Sequence, residues 1–237
     1  NLPTGLDVFG NLNTLVANDI SVNSSLPQLP SSLVSVELEN TGITDLDGLS
    51  ACAGLVKLKA GSNAISSYSG ILSSKESLNE VFLNYNNITD GDFSGFTNVK
   101  KLHVGDNELD SFTSPNPDEL NFVGNPFSVS APDLSAIDGD VAIDLDDSNP
   151  PRGKSQKYIM PSQQKVDALK TLSTSSTLNV KLTARNIPLP DETWWTESRI
   201  VELTSGGSEI DSPETSKLPD ACVKVELSET NLSEFND

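Results

Sequence analysis

The amino-acid sequence predicts two folds in series: a solenoid of short repeats built on a parallel β-sheet, followed by an all-β sandwich. Three observations support this prediction. An apolar motif recurs about every 22 residues in the first half of the chain. Alternating apolar and polar residues replace that motif after residue 131. The 237 residues are about enough for two domains.

Four segments of the first half share one apolar pattern. They begin at Leu33, Leu55, Leu78 and Val99, with intervals of 22, 23 and 21 residues. Each is apolar at its positions 1, 4, 6 and 11, and the last three carry asparagine at position 9. This is the leucine-rich repeat pattern, whose period is about 20 to 29 residues. Weaker copies that begin at Leu12 and Pro117 extend the prediction to about six repeats within residues 1–131.

Stacking explains the pattern, because no repeat can bury its apolar residues alone. Positions 3 to 5 are predicted to form a short strand of a parallel sheet, with positions 4 and 6 pointing inward. The position-9 amides are expected to satisfy backbone groups of adjacent repeats. The convex segments are predicted to be irregular or 3₁₀, and residues 1–11, with Leu6 and Phe9, to cap the N-terminal end.

The second half, residues 132–237, is predicted to be an immunoglobulin-like β-sandwich. Val141, Ile143 and Leu145 alternate with polar residues, as in a half-buried strand. Further predicted strands are 157–160, 177–184, 199–203 and 222–227, and residues 163–172 have apolar residues at helical spacing. Trp194 and Trp195 are expected to pack on a sheet face or at the domain junction.

Composition excludes several classes of function. The formal net charge of −19 argues against binding to nucleic acid or to an anionic membrane. No apolar run is long enough to span a membrane, and the first residues have no signal-peptide pattern, so we expect any leader to have been removed. His103 is the single histidine. Without an acid–base constellation, phosphate loop or metal spacing, the sequence predicts no enzyme and no cofactor.

Two further features have simple interpretations. Cys52 and Cys222 are expected to be unpaired, buried thiols, because two cysteines far apart make no disulfide framework. The carboxylates between residues 138 and 147 raise the alternative of a calcium site, since Ca²⁺ prefers oxygen ligands. We favour a solvated acidic edge, because these residues lack the spacing of an EF-hand. They are Asp138, Asp140, Asp144, Asp146 and Asp147.

The candidate ligand-binding residues lie on the solvent-facing, concave side of the predicted sheet. Phe82 and Tyr85 are aromatic residues at outward positions, as is typical of interface anchors. Two alternatives remain open: that this pair merely covers itself, and that the lysines are ordinary charge alternation. The predicted site comprises Phe82, Tyr85, His103, Lys59, Lys101 and Glu37.

The repeats, with Ile-Thr-Asp after the strand at 43–45 and 88–90 and Asn-Pro-Phe at 125–127, resemble those of bacterial internalin-like surface proteins. The resemblance covers residues 12 to about 131, and the intervals of 18 to 23 residues are more variable than in that family. It implies a secreted or cell-surface protein, bacterial in origin, whose repeat arc binds a protein on a cell surface and whose β-domain is a spacer.

The sequence thus predicts a monomeric, adhesin-like protein that binds a protein ligand on its concave face, without nucleic acid, cofactor or membrane insertion. One alternative is a structural or carbohydrate-contacting module of the cell envelope, with Trp194 or Trp195 as the stacking platform. Another is a eukaryotic secreted receptor-like protein, which the glycosylation sequons at Asn23, Asn87 and Asn231 permit.

Overall fold

The described residues of the computed structural model form one continuous solenoid sheet. They are residues 2, 5–22, 24–122, 124–126, 132–137, 140–144, 179–185, 197–198, 200–206 and 218–228. Ten strands lie side by side in chain order, and every neighbouring pair is parallel. We call each strand, together with the described residues that follow it before the next strand, one rung of the solenoid.

Short strands are joined by irregular segments and 3₁₀ turns. The strands are β1 Thr14–Val16, β2 Ser35–Glu37, β3 Lys57–Lys59, β4 Glu80–Phe82, β5 Lys101–His103, β6 Glu119–Asn121, β7 Asp140–Asp144, β8 Asn179–Arg185, β9 Ile200–Gly206 and β10 Lys224–Ser228. Within the described residues, three 3₁₀ helices cover Leu6–Val8, Asp47–Leu49 and Ser69–Ser74. The predicted helical segment 163–172 and the predicted strand 157–160 lie outside the described residues.

The predicted leucine-rich repeats are confirmed, in the predicted register. Position 4 of each rung pairs directly with position 4 of the next, from Leu15 through Val36 to Leu120. From Val36 onward these side chains are fully buried, as are those at position 6 from Leu38 to Phe122. Burial of aliphatic side chains contributes about 1.5–3 kcal/mol each, so this continuous apolar core is the main source of stability.

Asparagines at position 9 connect each rung to the one before it. The Asn86 Oδ1 accepts a hydrogen bond from the Ile65 backbone N–H at 3.1 Å. Its Nδ2 donates to the carbonyl of Ala60 in the preceding rung and of Leu83 in its own rung, at 3.0 and 2.9 Å. Asn63, Asn107 and Asn125 repeat this arrangement. The predicted role of the position-9 amides is confirmed.

The residue at position 8 adopts a left-handed backbone conformation in each of the first six rungs. The φ angle is 59° at Tyr85 and 76° at Gly124. The other four are Asp19, Asn40, Ser62 and Asp106, with φ between 53° and 58°. The chain therefore turns out of the strand at the same place in each rung, and the next residue has its side chain in the interior.

Aromatic rings from the segments between β3 and β6, and from the residue after β6, pack together in the core. Phe93 lies 4.6 Å from Tyr68 and 6.0 Å from Phe112, measured between ring centroids, and Phe112 stacks on Phe122 at 5.2 Å. The Tyr68 hydroxyl donates a 2.7 Å hydrogen bond to the Asp92 carbonyl. Burial, followed by the nearby Asp90 carboxylate, raises the pKa of Tyr68. The hydroxyl therefore stays protonated as a donor.

The second half differs from the immunoglobulin-like sandwich predicted for residues 132–237. Strands form near the predicted positions, as β7, β8, β9 and β10. They extend the sheet of the first half in parallel, however, and β6 pairs with β7 across the predicted domain boundary. A sandwich of this kind consists of antiparallel sheets. The described residues of this half contain no antiparallel pair, so the prediction is wrong for these strands.

The N-terminal end is also covered differently from the prediction. Leu6 packs against the core, but Phe9 is 56% exposed. Leu2 is the buried residue of this segment, at 7% exposure. Within the described residues, the inward side chains of the first rung, Leu12 and Leu15, remain only partly buried.

We expect Asn86→Ala to lower the free energy of unfolding by about 2–4 kcal/mol, because it leaves several buried backbone groups without their partner. Urea unfolding followed by far-UV circular dichroism measures the effect. Asn79→Ala is the control, since the Asn79 amide makes one exposed 3.3 Å contact to Asn98 and its loss should cost under about 0.5 kcal/mol. Equal effects of the two substitutions would contradict the inter-rung role of Asn86.

We expect Gly70→Ala to destabilise the protein by about 1–3 kcal/mol, because a methyl group there would overlap the Leu46 carbonyl of the preceding rung. Gly54→Ala is the matched control, because a Cβ at Gly54 has no heavy atom within 4 Å. Thermal unfolding compares the two variants. If Gly70→Ala unfolds at the same temperature as the wild type, the convex sides of adjacent rungs are not in close contact.

Candidate functional site

The concave face presents two parallel rows of side chains that point away from the core. The third-position row and the fifth-position row run along the first six strands, on either side of the buried position-4 residues. The third-position row is Thr14, Ser35, Lys57, Glu80, Lys101 and Glu119. The fifth-position row is Val16, Glu37, Lys59, Phe82, His103 and Asn121. All of these side chains are at least partly exposed.

Phe82 is at the centre of a contact chain within the fifth-position row. It is the direct register partner of Lys59 on one side and His103 on the other. The His103 ring meets Phe82 edge-to-face, with 4.7 Å between centroids and an interplanar angle of 67°. The Lys59 Nζ lies 5.8 Å from the Phe82 centroid, within the range of a cation–π contact. The structure thus brings three of the predicted site residues together.

Glu119 contacts His103 and Lys101 on the same face of the sheet. Its Oε1 lies 2.7 Å from the His103 Nε2, and its Oε2 lies 3.8 Å from the Lys101 Nζ. Lys101 also lies 3.7 Å from Glu80. Sequence reasoning named His103 and Lys101 but missed Glu119 and Glu80. Aligning position 3 of successive repeats would have found them, since lysine and glutamate alternate there.

Glu37 lies close to two lysines of the next rung. It lies 2.8 Å from the Lys57 Nζ and 3.6 Å from the Lys59 Nζ. The hydrogen bond from Lys57, together with the charge of Lys59, holds the pKa of Glu37 below its usual value, although partial burial opposes this. The same hydrogen bond raises the pKa of Lys57. Lys57 is a third residue of this face that the sequence prediction omitted, after Glu119 and Glu80.

Tyr85 borders the two rows rather than belonging to them. It follows β4 by three residues, at the left-handed turn, and its side chain is half-buried. Its backbone N–H donates to the Gly105 carbonyl at 3.0 Å, which fixes the turn. Tyr85 is therefore placed at the edge of the concave face, next to the strand that carries Phe82.

The remaining features predicted from the sequence are the two cysteines, the two tryptophans and the acidic cluster. Cys52 is a free, buried thiol whose pKa is raised by that burial, and Cys222 is free but only half-buried. Trp194, Trp195 and most of the acidic cluster at 138–147 lie outside the described residues. Within the part of the chain that the structure describes, no group of His, Cys, Asp and Glu is arranged to hold a metal ion. In the same residues, no helix has the length and hydropathy to cross a bilayer.

Comparison with known proteins gives similarity in structure alone. No protein-family profile and no curated sequence matches the chain. Among solved structures, the internalin InlF of Listeria monocytogenes strain 4b F2365 superposes with a TM-score of 0.58 at 19% identity, over 94% of this chain and 62% of that one. A chain from a complex of latrophilin 3, Unc5D and FLRT2, the last described as LRR, gives a TM-score of 0.39 at 13% identity, over 86% and 70%.

The similarity to the internalin supports the leucine-rich repeat fold. The aligned part is less than two thirds of that internalin, so the match does not extend over the whole of the other protein. It extends over nearly all of this chain.

We expect Glu37→Gln to lower stability at pH 7 but not at pH 3. The folded-state pKa of Glu37 is lowered, so its ionised form stabilises the fold above the unfolded-state value of about 4.5, and this contribution is lost as the pH falls through the folded pKa. The pair is near the surface, so the effect at pH 7 should be below about 1 kcal/mol.

Urea unfolding at the two pH values measures this difference. Glu76→Gln, an exposed change on the convex side, serves as the control and should have the same small effect at both. A Glu37→Gln effect that persists at pH 3 would contradict the ionic role of Glu37.

Proposed function

We propose that this protein is an adhesin-like module that is secreted or displayed on a cell surface and binds a protein ligand on its concave face. The observation that carries the proposal is the contact chain Lys59–Phe82–His103, which exposes an aromatic centre on three adjacent strands. The six residues predicted from the sequence, together with Glu119, Glu80 and Lys57, are the proposed ligand contacts.

The scaffold suits recognition because the binding surface is formed before the ligand arrives. The strands are fixed by sheet hydrogen bonds, and the charged side chains of the two rows contact each other between rungs. Binding then orders few side chains, so little of the interaction free energy is spent on lost conformational entropy.

The chemistry of the face is typical of protein interfaces. A partly exposed aromatic ring with charged groups around it combines an apolar anchor with polar contacts that fix orientation. The shared fold with an internalin and the Ile-Thr-Asp pattern after the strands favour a surface protein over an intracellular one.

We expect Phe82→Ala to weaken ligand binding at least tenfold, as is usual for a central aromatic anchor. The immobilised chain is exposed to biotinylated surface proteins from cultured cells, and proteins that depend on Phe82 are identified. Leu72→Ala is the matched control, since Leu72 is an apolar residue 46% exposed on the convex side.

Thermal unfolding of both variants shows whether the fold is intact. Captured proteins that bind wild type and Leu72→Ala but not a folded Phe82→Ala support the proposal. Capture that is equal for all three proteins would reject the concave face as the binding site.

A further inference from the structure

Among the residues that the structure describes, lysine side chains are concentrated on one side of the sheet. Of the lysines whose side chains the structure describes, all except Lys75 lie in a strand or directly before one. They are Lys57, Lys59, Lys100, Lys101, Lys181 and Lys224. Each of these lysines has a carboxylate partner that also lies in a strand or directly before one, so the charges of these ion-paired groups balance. The partners are Glu37, Glu80, Asp118, Glu119, Glu202 and Glu226.

The convex side is acidic in comparison. The described segments that connect the strands there carry carboxylates and, as their one described lysine, Lys75. The carboxylates are Asp45, Asp47, Glu76, Asp90, Asp92, Asp110 and Asp133. The described residues therefore form a charge dipole across the sheet, within a chain whose formal net charge is −19.

The lysines around the aromatic centre are only loosely paired. Lys57 lies 2.8 Å from Glu37, which is the distance of a direct charge-assisted hydrogen bond. Lys59 is 3.6 Å from the same carboxylate, Lys100 is 3.5 Å from Asp118, and Lys101 is 3.7 Å or more from its two partners. These distances exceed those of direct hydrogen bonds, so the three ammonium groups retain donor capacity for another acceptor.

We propose that the ligand of the concave face presents carboxylates to Lys59 and Lys101, with an apolar side chain between them on Phe82 and His103. This inference rests on the proposed function and specifies its ligand as an acidic segment of protein. Lys59 is at position 5 of its repeat, on β3, and Lys101 at position 3 of its repeat, on β5. They are therefore separated by two strand spacings across the sheet and two residues along it, about 12 Å in all. An extended peptide points every second side chain to the same face, and its residues i and i+4 are about 13 Å apart. The segment therefore carries two acidic residues four positions apart, with the apolar residue midway between them.

The charge dipole favours this orientation and disfavours others. An acidic ligand is repelled by the carboxylates of the convex side and meets the least negative potential over the sheet. A basic ligand would be attracted first to the convex side, where the proposed anchor Phe82 is absent. Electrostatics thus directs an acidic segment to the aromatic centre and a basic one away from it.

A phage-displayed library of random twelve-residue peptides tests the inference. The library is selected on the wild-type chain after depletion on the double variant Lys59→Glu, Lys101→Glu, so that only peptides dependent on these lysines remain. If the net charge of −19 alone governed binding, the selected peptides would be basic. The inference predicts acidic peptides with an apolar residue between two carboxylates.

The affinity of a selected peptide, made synthetically and fluorescently labelled, is then measured. We expect it to fall at least tenfold in Lys59→Met, Lys101→Met and with rising NaCl, and to stay unchanged in Lys75→Glu, the convex control. The methionine variant keeps the apolar stems, and circular dichroism verifies the fold of each variant. If the glutamate variant does not fold, the methionine variant is used for the depletion step instead.

The outcomes separate the two proposals. Acidic peptides whose binding needs Phe82 and the two lysines support the proposed function and the inference about the ligand. Neutral or basic peptides that need Phe82 overturn the inference about the ligand but leave concave-face binding in place. Recovered peptides that are indifferent to Phe82→Ala, or none recovered, count against both.

Discussion

The structure depends on one constraint: the backbone groups at the turn of each rung are buried and must find partners in the neighbouring rung. The position-9 asparagines meet it, since Asn86 alone joins Ala60 and Ile65 of one rung to Leu83 of the next. An amide has a donor and an acceptor on one short side chain, which apolar residues lack. Where Thr41 stands at this position, its own N–H and hydroxyl are taken up by Asn63 of the following rung. Stability is therefore shared between neighbours and not held within any one repeat.

This constraint also creates the surface. Once the position-4 residues are in register, the side chains at positions 3 and 5 stand directly beside their counterparts in the next rung. Phe82 meets His103 and Lys59 because of this alignment and not because of proximity in the sequence. Glu119, the register partner of Lys101, reaches His103 diagonally between the two rows. The two rows are free of the packing demands of the core. A ligand-binding face can therefore be varied there while the inward positions preserve the fold.

The sequence was sufficient for the repeats because their inward residues are dictated by stacking. Leu58, Val81 and Leu102 could only be placed in one way once the asparagines were aligned. The prediction for the second half was wrong because alternation such as that at 141–145 identifies a strand but not the direction of its partner strand. The second half lacks the position-9 asparagines. The remaining indication of a repeat in its sequence is the regular spacing of Leu182, Leu203 and Val225, which are register partners in β8, β9 and β10. Glu119 and Lys57 were missed since ion pairs between rungs emerge only when repeats are compared position by position.

The left-handed turn that ends each strand has a consequence for one side chain. Aspartate, asparagine and glycine tolerate positive φ, whereas a bulky residue incurs a cost of about 1–2 kcal/mol there. Tyr85, with φ of 59°, is the one aromatic among the six equivalent turns. The molecule thus carries local backbone strain in order to hold a phenol ring at the rim, where Gly124 shows that a relaxed turn of the same shape is available.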